Sequence, residues 1–233
     1  MPKSDTPLDT ATHRRLMHIT LLIFAKCPDA GRCKTRLIKG FGEEGAVEVH
    51  RRLTVKTFQE TYSLNQQRRV SIQIHYTGEA VDELRALANE HCPQGVLIEQ
   101  RGDDLGSRLH NAFASALSSS EAAIAIGTDC PFLDSQLLFE ACATLESNQA
   151  VIGPAADGGY YLLGLRAPHP ELFQNIDWGT SAVLEQTLIA GAAVGLHFDH
   201  LPILSDVDDP EDVTQEVRQL LHMPDIEWPN EAR

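Results

Sequence analysis

The stretch Ile19-Thr20-Leu21-Leu22-Ile23-Phe24-Ala25-Lys26-Cys27-Pro28-Asp29-Ala30-Gly31-Arg32-Cys33-Lys34-Thr35-Arg36-Leu37 decides the fold class. Its first seven residues form a continuous apolar run, as expected for a strand covered on both faces in a parallel sheet. Pro28 and Gly31 then break regular structure, and bases accumulate. Residues 26–39 hold Lys26, Arg32, Lys34, Arg36 and Lys39 against Asp29 alone. Ligands of open α/β sheets collect at the carboxyl ends of the strands, so this loop is placed to receive phosphate groups. It is not a Walker A loop, because the G-x-x-x-x-G-K-[ST] spacing is missing.

This cluster inverts the sign of the rest of the chain. Across 233 residues, 19 bases against 33 acids leave a net charge of −14. That balance argues against nucleic-acid binding and against a basic membrane-surface role, and it favours divalent cations. A 42% hydrophobic content supports a sizeable core and one large α/β domain, expected over residues 18–222. Residues 1–17, with His13, Arg14 and Arg15 but no sustained apolar core, read as a flexible start, and 223–233 as a tail. No apolar run reaches the ~18 residues that span a bilayer. Five cysteines, odd in number and without C-x-x-C spacing, predict neither a disulfide framework nor a zinc site, and fit a reducing cytoplasm. Oligomeric state has no signal.

Further strands are expected at Val70–Tyr76, Val96–Gln100, Ala122–Ile126, Ala150–Gly153 and Tyr160–Leu165, with helices over 43–62, 80–90, from Asp103 or Asp104 through Ala116, 134–145 and 182–190. His75, at the polar phase of its strand, is expected to face solvent. Capping accounts for one acid of Asp103 and Asp104, which leaves Asp104 or Arg108 to contact substrate. Asp129 follows the most apolar strand, in Gly127-Thr128-Asp129-Cys130-Pro131. A carboxylate there can hold Mg2+ or Mn2+ against a diphosphate, since Pro131 and Asp134 already start the next helix. The turn Asp157-Gly158-Gly159 presents the Asp157 carboxylate beside a buried strand, between two apolar runs. Gly158 and Gly159 leave room for a ligand. Trp178 either stacks on substrate or covers the core edge, and Thr180 or Ser181 caps the helix that follows. From residue 199 onward there are ten acids and two bases. There Asp206 or Asp208 can complete the metal shell, while Asp209, Glu211 and Asp212 suit the first turn of a helix carrying Pro210.

The ordered motifs are Lys26-x-Pro28-x-x-Gly31-x-x-Lys34-Thr35-Arg36-Leu37, Asp104-Leu105-Gly106-x-Arg108, Gly127-Thr128-Asp129-Cys130-Pro131, Gly153-Pro154-x-x-Asp157-Gly158-Gly159-Tyr160-Tyr161 and Asp206-Val207-Asp208-Asp209-Pro210-Glu211-Asp212. Together, over residues 19–215, they resemble the arsenosugar-biosynthesis-type glycosyltransferase family. That group is GT-A-like and related in fold to nucleotidyltransferases such as the 2-phospholactate guanylyltransferase. The resemblance implies a three-layer GT-A-like (Rossmann-like) sandwich with a mostly parallel central sheet, binding nucleotide in its first half and acceptor in its second. By position it implies phosphate contacts from Lys26, Lys34 and Arg36, with Gly31 in the same motif and Asp104 and Arg108 beyond it. It implies metal ligation by Asp129 and Asp208 and an acceptor side around Asp157, Gly158 and Gly159, beside which Trp178 is the further acceptor-binding candidate. Two departures stand out: Asp209 replaces the usual Thr after Asp208, and Gly127 replaces the first acid of a D-x-D.

Two reactions fit. One is transfer of a sugar from a nucleotide-sugar to a small acceptor, with a divalent cation. The other is nucleotidyl transfer from a nucleoside triphosphate to a small phosphorylated acceptor, releasing pyrophosphate. Both need cations against a phosphate leaving group. A non-catalytic nucleotide-binding regulator would have no use for Asp129, Asp157 and Asp208 together.

Overall fold

A computed structural model describes residues 16–223. Most of the N-terminal segment and of the C-terminal tail set apart above lies outside these residues. Seven strands make one sheet in the order β3-β2-β1-β4-β6-β5-β7. They are β1 (Ile19–Lys26), β2 (Ser71–Thr77), β3 (Val96–Glu99), β4 (Ala122–Ile126), β5 (Ala150–Pro154), β6 (Tyr160–Leu165) and β7 (Phe198–His200). Every pairing is parallel except those of β6, which runs antiparallel to both β4 and β5. The helices are α1 (Ile38–Gln67), α2 (Val81–His91), α3 (Leu105–Leu117), α4 (Ser135–Leu145), α5 (Val183–Ala193) and α6 (Gln215–Leu220).

The strands read as apolar runs because both sheet faces are covered. On one face, β-strand residues such as Ile23 and Ile124 pack with Phe58 and Leu64 of α1, Leu84 of α2 and Leu138 of α4. On the other, Leu22, Ala125 and Leu163 pack with Leu109 and Phe113 of α3 and with Leu184 and Leu188 of α5. The result is the expected three-layer α/β sandwich. A third cluster joins Leu37, Phe41, Val49 and Leu53 to Val207, Val213, Val217 and Leu221, and so fastens the acidic segment of residues 206–212 beside the basic loop after β1.

Several expectations are corrected. Helix α1 runs past 43–62 at both ends, with a break at Gly42 (φ 69°, ψ 176°). Its later half continues to Gln67, where Leu64 is buried against the core; the Thr54, Thr57 and Thr61 hydroxyls donate to carbonyls four residues back, at 2.9, 3.1 and 2.7 Å, and so are satisfied where they are buried. Strand β7 has no counterpart in the sequence reading, since three residues carry no period. The Pro210 segment forms a short 3-10 turn (Pro210–Asp212), and α6 starts later, capped by the Thr214 side chain. Helix α5 has no side-chain cap; Thr180 instead donates to the Asp177 carbonyl. His75 is 5% exposed and does not face solvent. It lies where β2 passes under the cleft, its ring stacked on Phe24 at 5.3 Å and 10°. Burial pushes its pKa down to about 4, so the ring is neutral.

Candidate active site

The cleft opens at the carboxyl ends of β1 and β4 and the start of the antiparallel β6, and encloses about 650 Å3. Lys26 ends β1, and the loop after it brings Lys34 underneath the acids. The Lys34 backbone is left-handed (φ 47°, ψ 43°), and its side chain is 5% exposed. Its ammonium donates to Asp129 Oδ1 at 2.7 Å, Asp208 Oδ1 at 2.9 Å and the Val207 carbonyl at 2.6 Å. Three acceptors match its three N–H groups. Burial alone would lower its pKa, but Asp129 and Asp208 outweigh that and hold it above the usual lysine value.

The acids arrive from three loops. Asp129 leaves β4, and its main-chain carbonyl accepts from Val207 N–H at 2.9 Å, which fixes the distance between β4 and the 206–212 segment. Burial opposes ionisation of Asp129, yet the Lys34 ammonium prevails and keeps its pKa below the usual carboxylate range. Asp206 lacks such a partner. Burial first, then repulsion from Asp129, Asp157 and Asp208, pushes its pKa up to about 7. Asp157 Oδ1 accepts from Gly159 N–H at 2.9 Å, within the turn between β5 and β6. Asp209 and Asp212 serve the local chain: the Asp212 carboxylate accepts from the N–H groups of Asp208 and Asp209, at 2.9 and 2.7 Å.

Lys26, Lys34, Arg36, Arg108, Asp129, Asp157, Gly159, Trp178 and Asp208 all line this one cleft. Arg36 lies 3.9 Å from Asp209, and Arg108 donates through Nε to the Gly102 carbonyl at 2.9 Å. Trp178 packs its ring edge-on to Tyr160, at 6.5 Å. Three expected residues are not part of the wall. Asp104 is an exposed cap: it accepts from Ser107 N–H at 2.7 Å and closes a capping box, with its pKa lowered by those bonds. Gly31 faces Glu43, whose carboxylate would lie 3.6 Å from a Cβ there. At Gly158 (φ +90°) the space read as room for a ligand is filled by the Ser181 backbone. Lys34 is also corrected in one respect, since in the ligand-free protein its ammonium is taken up by Asp129, Asp208 and the Val207 carbonyl.

The sequence reading missed His50, Phe24, Thr77, Gln100 and Tyr160, which also line the cleft. Thr77 and Gln100 close or follow β2 and β3, so the strand-end rule that found Asp129 points to them too. His50 had no local signal. It lies within α1, 2% exposed, with Nε2 donating to the Lys26 carbonyl at 3.0 Å and Nδ1 without a partner.

Among the described residues, no group of three or more His, Cys, Asp or Glu side chains is arranged to hold a metal ion. Mg2+ does not require one: it is commonly held by one or two carboxylates, with substrate phosphates and water completing the shell. Asp129 and Asp208 each use Oδ1 on Lys34 and stay 46% and 40% exposed. As hard oxygen donors facing a phosphate-sized cleft, they fit such a cation.

A family profile described as "Uncharacterized protein conserved in bacteria (DUF2064)" matches residues 59–180, just over half of the chain. No curated protein matches the chain. Among solved structures, a provisionally assigned nucleotide-diphospho-sugar transferase from Desulfovibrio desulfuricans G20 is 29% identical, with a TM-score of 0.76 over 86% of this chain and 87% of its own. The inositol-1-phosphate CTP transferase from T. maritima is 12% identical, with a TM-score of 0.57 over 89% and 96%. Glucosyl-3-phosphoglycerate synthase from Mycobacterium tuberculosis, solved with Mn2+, UDP and glucosyl-3-phosphoglycerate, is 11% identical, with a TM-score of 0.51 over 88% and 76%. The fold is therefore that of nucleotide-dependent transferases.

Proposed function

The chain belongs to the DUF2064 family, and we propose that this member is a transferase that binds a nucleotide-sugar with Mg2+ or Mn2+ and passes the sugar to a small acceptor. The carrying observation is that one cleft gathers both signs of charge. Lys26, Arg32, Arg36 and Arg108 line it together with Asp129, Asp157, Asp206 and Asp208. The likeness to the D. desulfuricans protein supports the sugar-transfer reading, as does the motif resemblance to arsenosugar-biosynthesis-type glycosyltransferases.

In this reading Lys26, Arg36 and Arg108 bind the diphosphate by charge-assisted hydrogen bonds. Asp129 and Asp208 hold the cation, with Asp206 beside them. When bound, the cation supplies positive charge to the departing diphosphate. Asp157 orients the acceptor hydroxyl and receives its proton, which requires an approach of about 2.6–3.2 Å, directly or through one water. Its Oδ1 is already held by Gly159 N–H, so the carboxylate is aimed before substrate arrives. Gly159 and Trp178 form the acceptor side of the wall. The five buried thiols suit a reducing cytoplasm. Net charge disfavours nucleic acid as substrate, and among the described residues no helix is long and apolar enough to cross a membrane.

A second reading, nucleotidyl transfer, is favoured by the density of cations after β1, which exceeds what a diphosphate requires. One experiment separates the two. The protein is screened by thermal shift against nucleoside triphosphates and nucleotide-sugars, with and without Mn2+, and products are then followed by 31P NMR. Stabilisation by nucleotide-sugars with release of nucleoside diphosphate carries the first reading, and pyrophosphate release carries the second. Stabilisation by neither class refutes both.

A further inference from the structure

Lys34 differs from every other base in its loop. Arg32 reaches outward to Glu79 at 2.7 Å, and Lys39 pairs with Asp209 at 3.2 Å; both are more than half exposed. Lys34 is buried, and all three of its N–H groups are taken by Asp129, Asp208 and the Val207 carbonyl. Its left-handed backbone (φ 47°) is one that a residue with a Cβ adopts only when its surroundings hold it there. The side chain thus lies between the two carboxylates read above as metal ligands, as a cation of the protein's own.

We propose that Lys34 is a positioning residue that makes metal binding conditional on the nucleotide: its ammonium holds Asp129 and Asp208 in the free protein and yields them only when phosphate draws it away. The inference rests on the reading of those two acids as the metal pair. An ammonium and a divalent ion competing for the same carboxylates repel each other, so metal alone enters a site that is already neutralised in part. A phosphate oxygen is as good an acceptor for Lys34 as a carboxylate. Moving to it gives the ammonium a new acceptor and leaves both acids to the metal. Nucleotide and cation then bind as a coupled pair, each raising the affinity of the other.

The sign of one measurement decides. Mn2+ alone, without nucleotide, is titrated into wild type and Lys34→Met, and free Mn2+ is read by electron paramagnetic resonance. Removing a competing charge is expected to tighten Mn2+ by about tenfold or more. A lysine that merely braced the site would, when removed, weaken Mn2+ instead. Equal or weaker binding in the variant overturns the proposal while leaving the metal assignment standing. Binding in neither protein also overturns the proposal, while the metal assignment, in which substrate phosphates complete the shell, is then tested with nucleotide present. If Lys34→Met does not fold, Lys34→Gln, whose amide still donates to a carboxylate, goes through the same titration with the same reading.

Discussion

Replacing His75 by Phe tests whether a neutral imidazole under the cleft makes stability depend on pH. His75 is 5% exposed. It stacks on Phe24, and its Nε2 lies 3.0 Å from Gln73 Oε1. No acid is among the causes of its shift; burial alone moves it from 6.5 to about 4. Because the folded value lies below the unfolded one, the unfolded chain binds a proton that the native state refuses. Stability from this group is therefore complete above about pH 6.5 and falls as pH drops towards about 4. The whole gap corresponds to roughly 3 kcal/mol, and the loss by about pH 5 to roughly 2 kcal/mol. Phe keeps a ring against Phe24 but does not titrate. Urea unfolding at about pH 7.5 and about pH 5 should show wild type losing roughly 2 kcal/mol more than His75→Phe. His50, also lowered by burial, contributes with the same sign in both proteins and cancels. Equal losses would refute the reasoning.

Lys34→Met should lower stability by roughly 2 kcal/mol in urea, less than the roughly 3–5 kcal/mol of a fully buried pair, because water screens the half-exposed carboxylates; an unchanged midpoint contradicts this. Asp129→Asn keeps the size but removes the charge, so Mn2+ affinity measured with nucleotide present should drop about tenfold or more together with turnover. Unaltered metal binding there refutes the ligand assignment. Asp157→Asn should depress transfer to the acceptor while nucleotide and Mn2+ binding persist; lost metal affinity would instead move Asp157 into the metal shell. In Gly106→Ala, the new Cβ would lie 2.6 Å from both the Phe173 carbonyl oxygen and Trp178 Nε1. A cost of roughly 1–3 kcal/mol and a shift in tryptophan emission are expected, and a variant identical in both to wild type would show that Trp178 is not held by this contact.

Most strands were legible because burial on both faces leaves a local trace. Ala122–Ile126 and Tyr160–Leu165 are found with the expected bounds. The cap at Asp134, whose side chain accepts from Leu137 N–H at 2.8 Å, was equally local. Asp104 shows the limit of such reading: capping and ligand binding call for the same residue type, and only geometry separates them. Gly158 makes the same point for glycine, since a positive φ packed against Ser181 and a clearance left for a ligand look alike in one dimension.

What the sequence by itself determined is what depends on near neighbours: the alternation of buried strands with helices, the basic loop after the first strand, and the acids that follow later ones. Strand ends in a parallel sheet share one edge, which is why most of the residues singled out do line one cleft. Only the tertiary structure decided what those residues do to each other. Lys34 and Asp208 are 174 positions apart, and their pairing follows from Val207, Val213 and Val217 packing on the start of α1. The burial of His50 and the opposite pKa shifts of Asp129 and Asp206 have the same origin. Pairing and desolvation are set by which loops meet in space, and that information resides in the packing of the whole core.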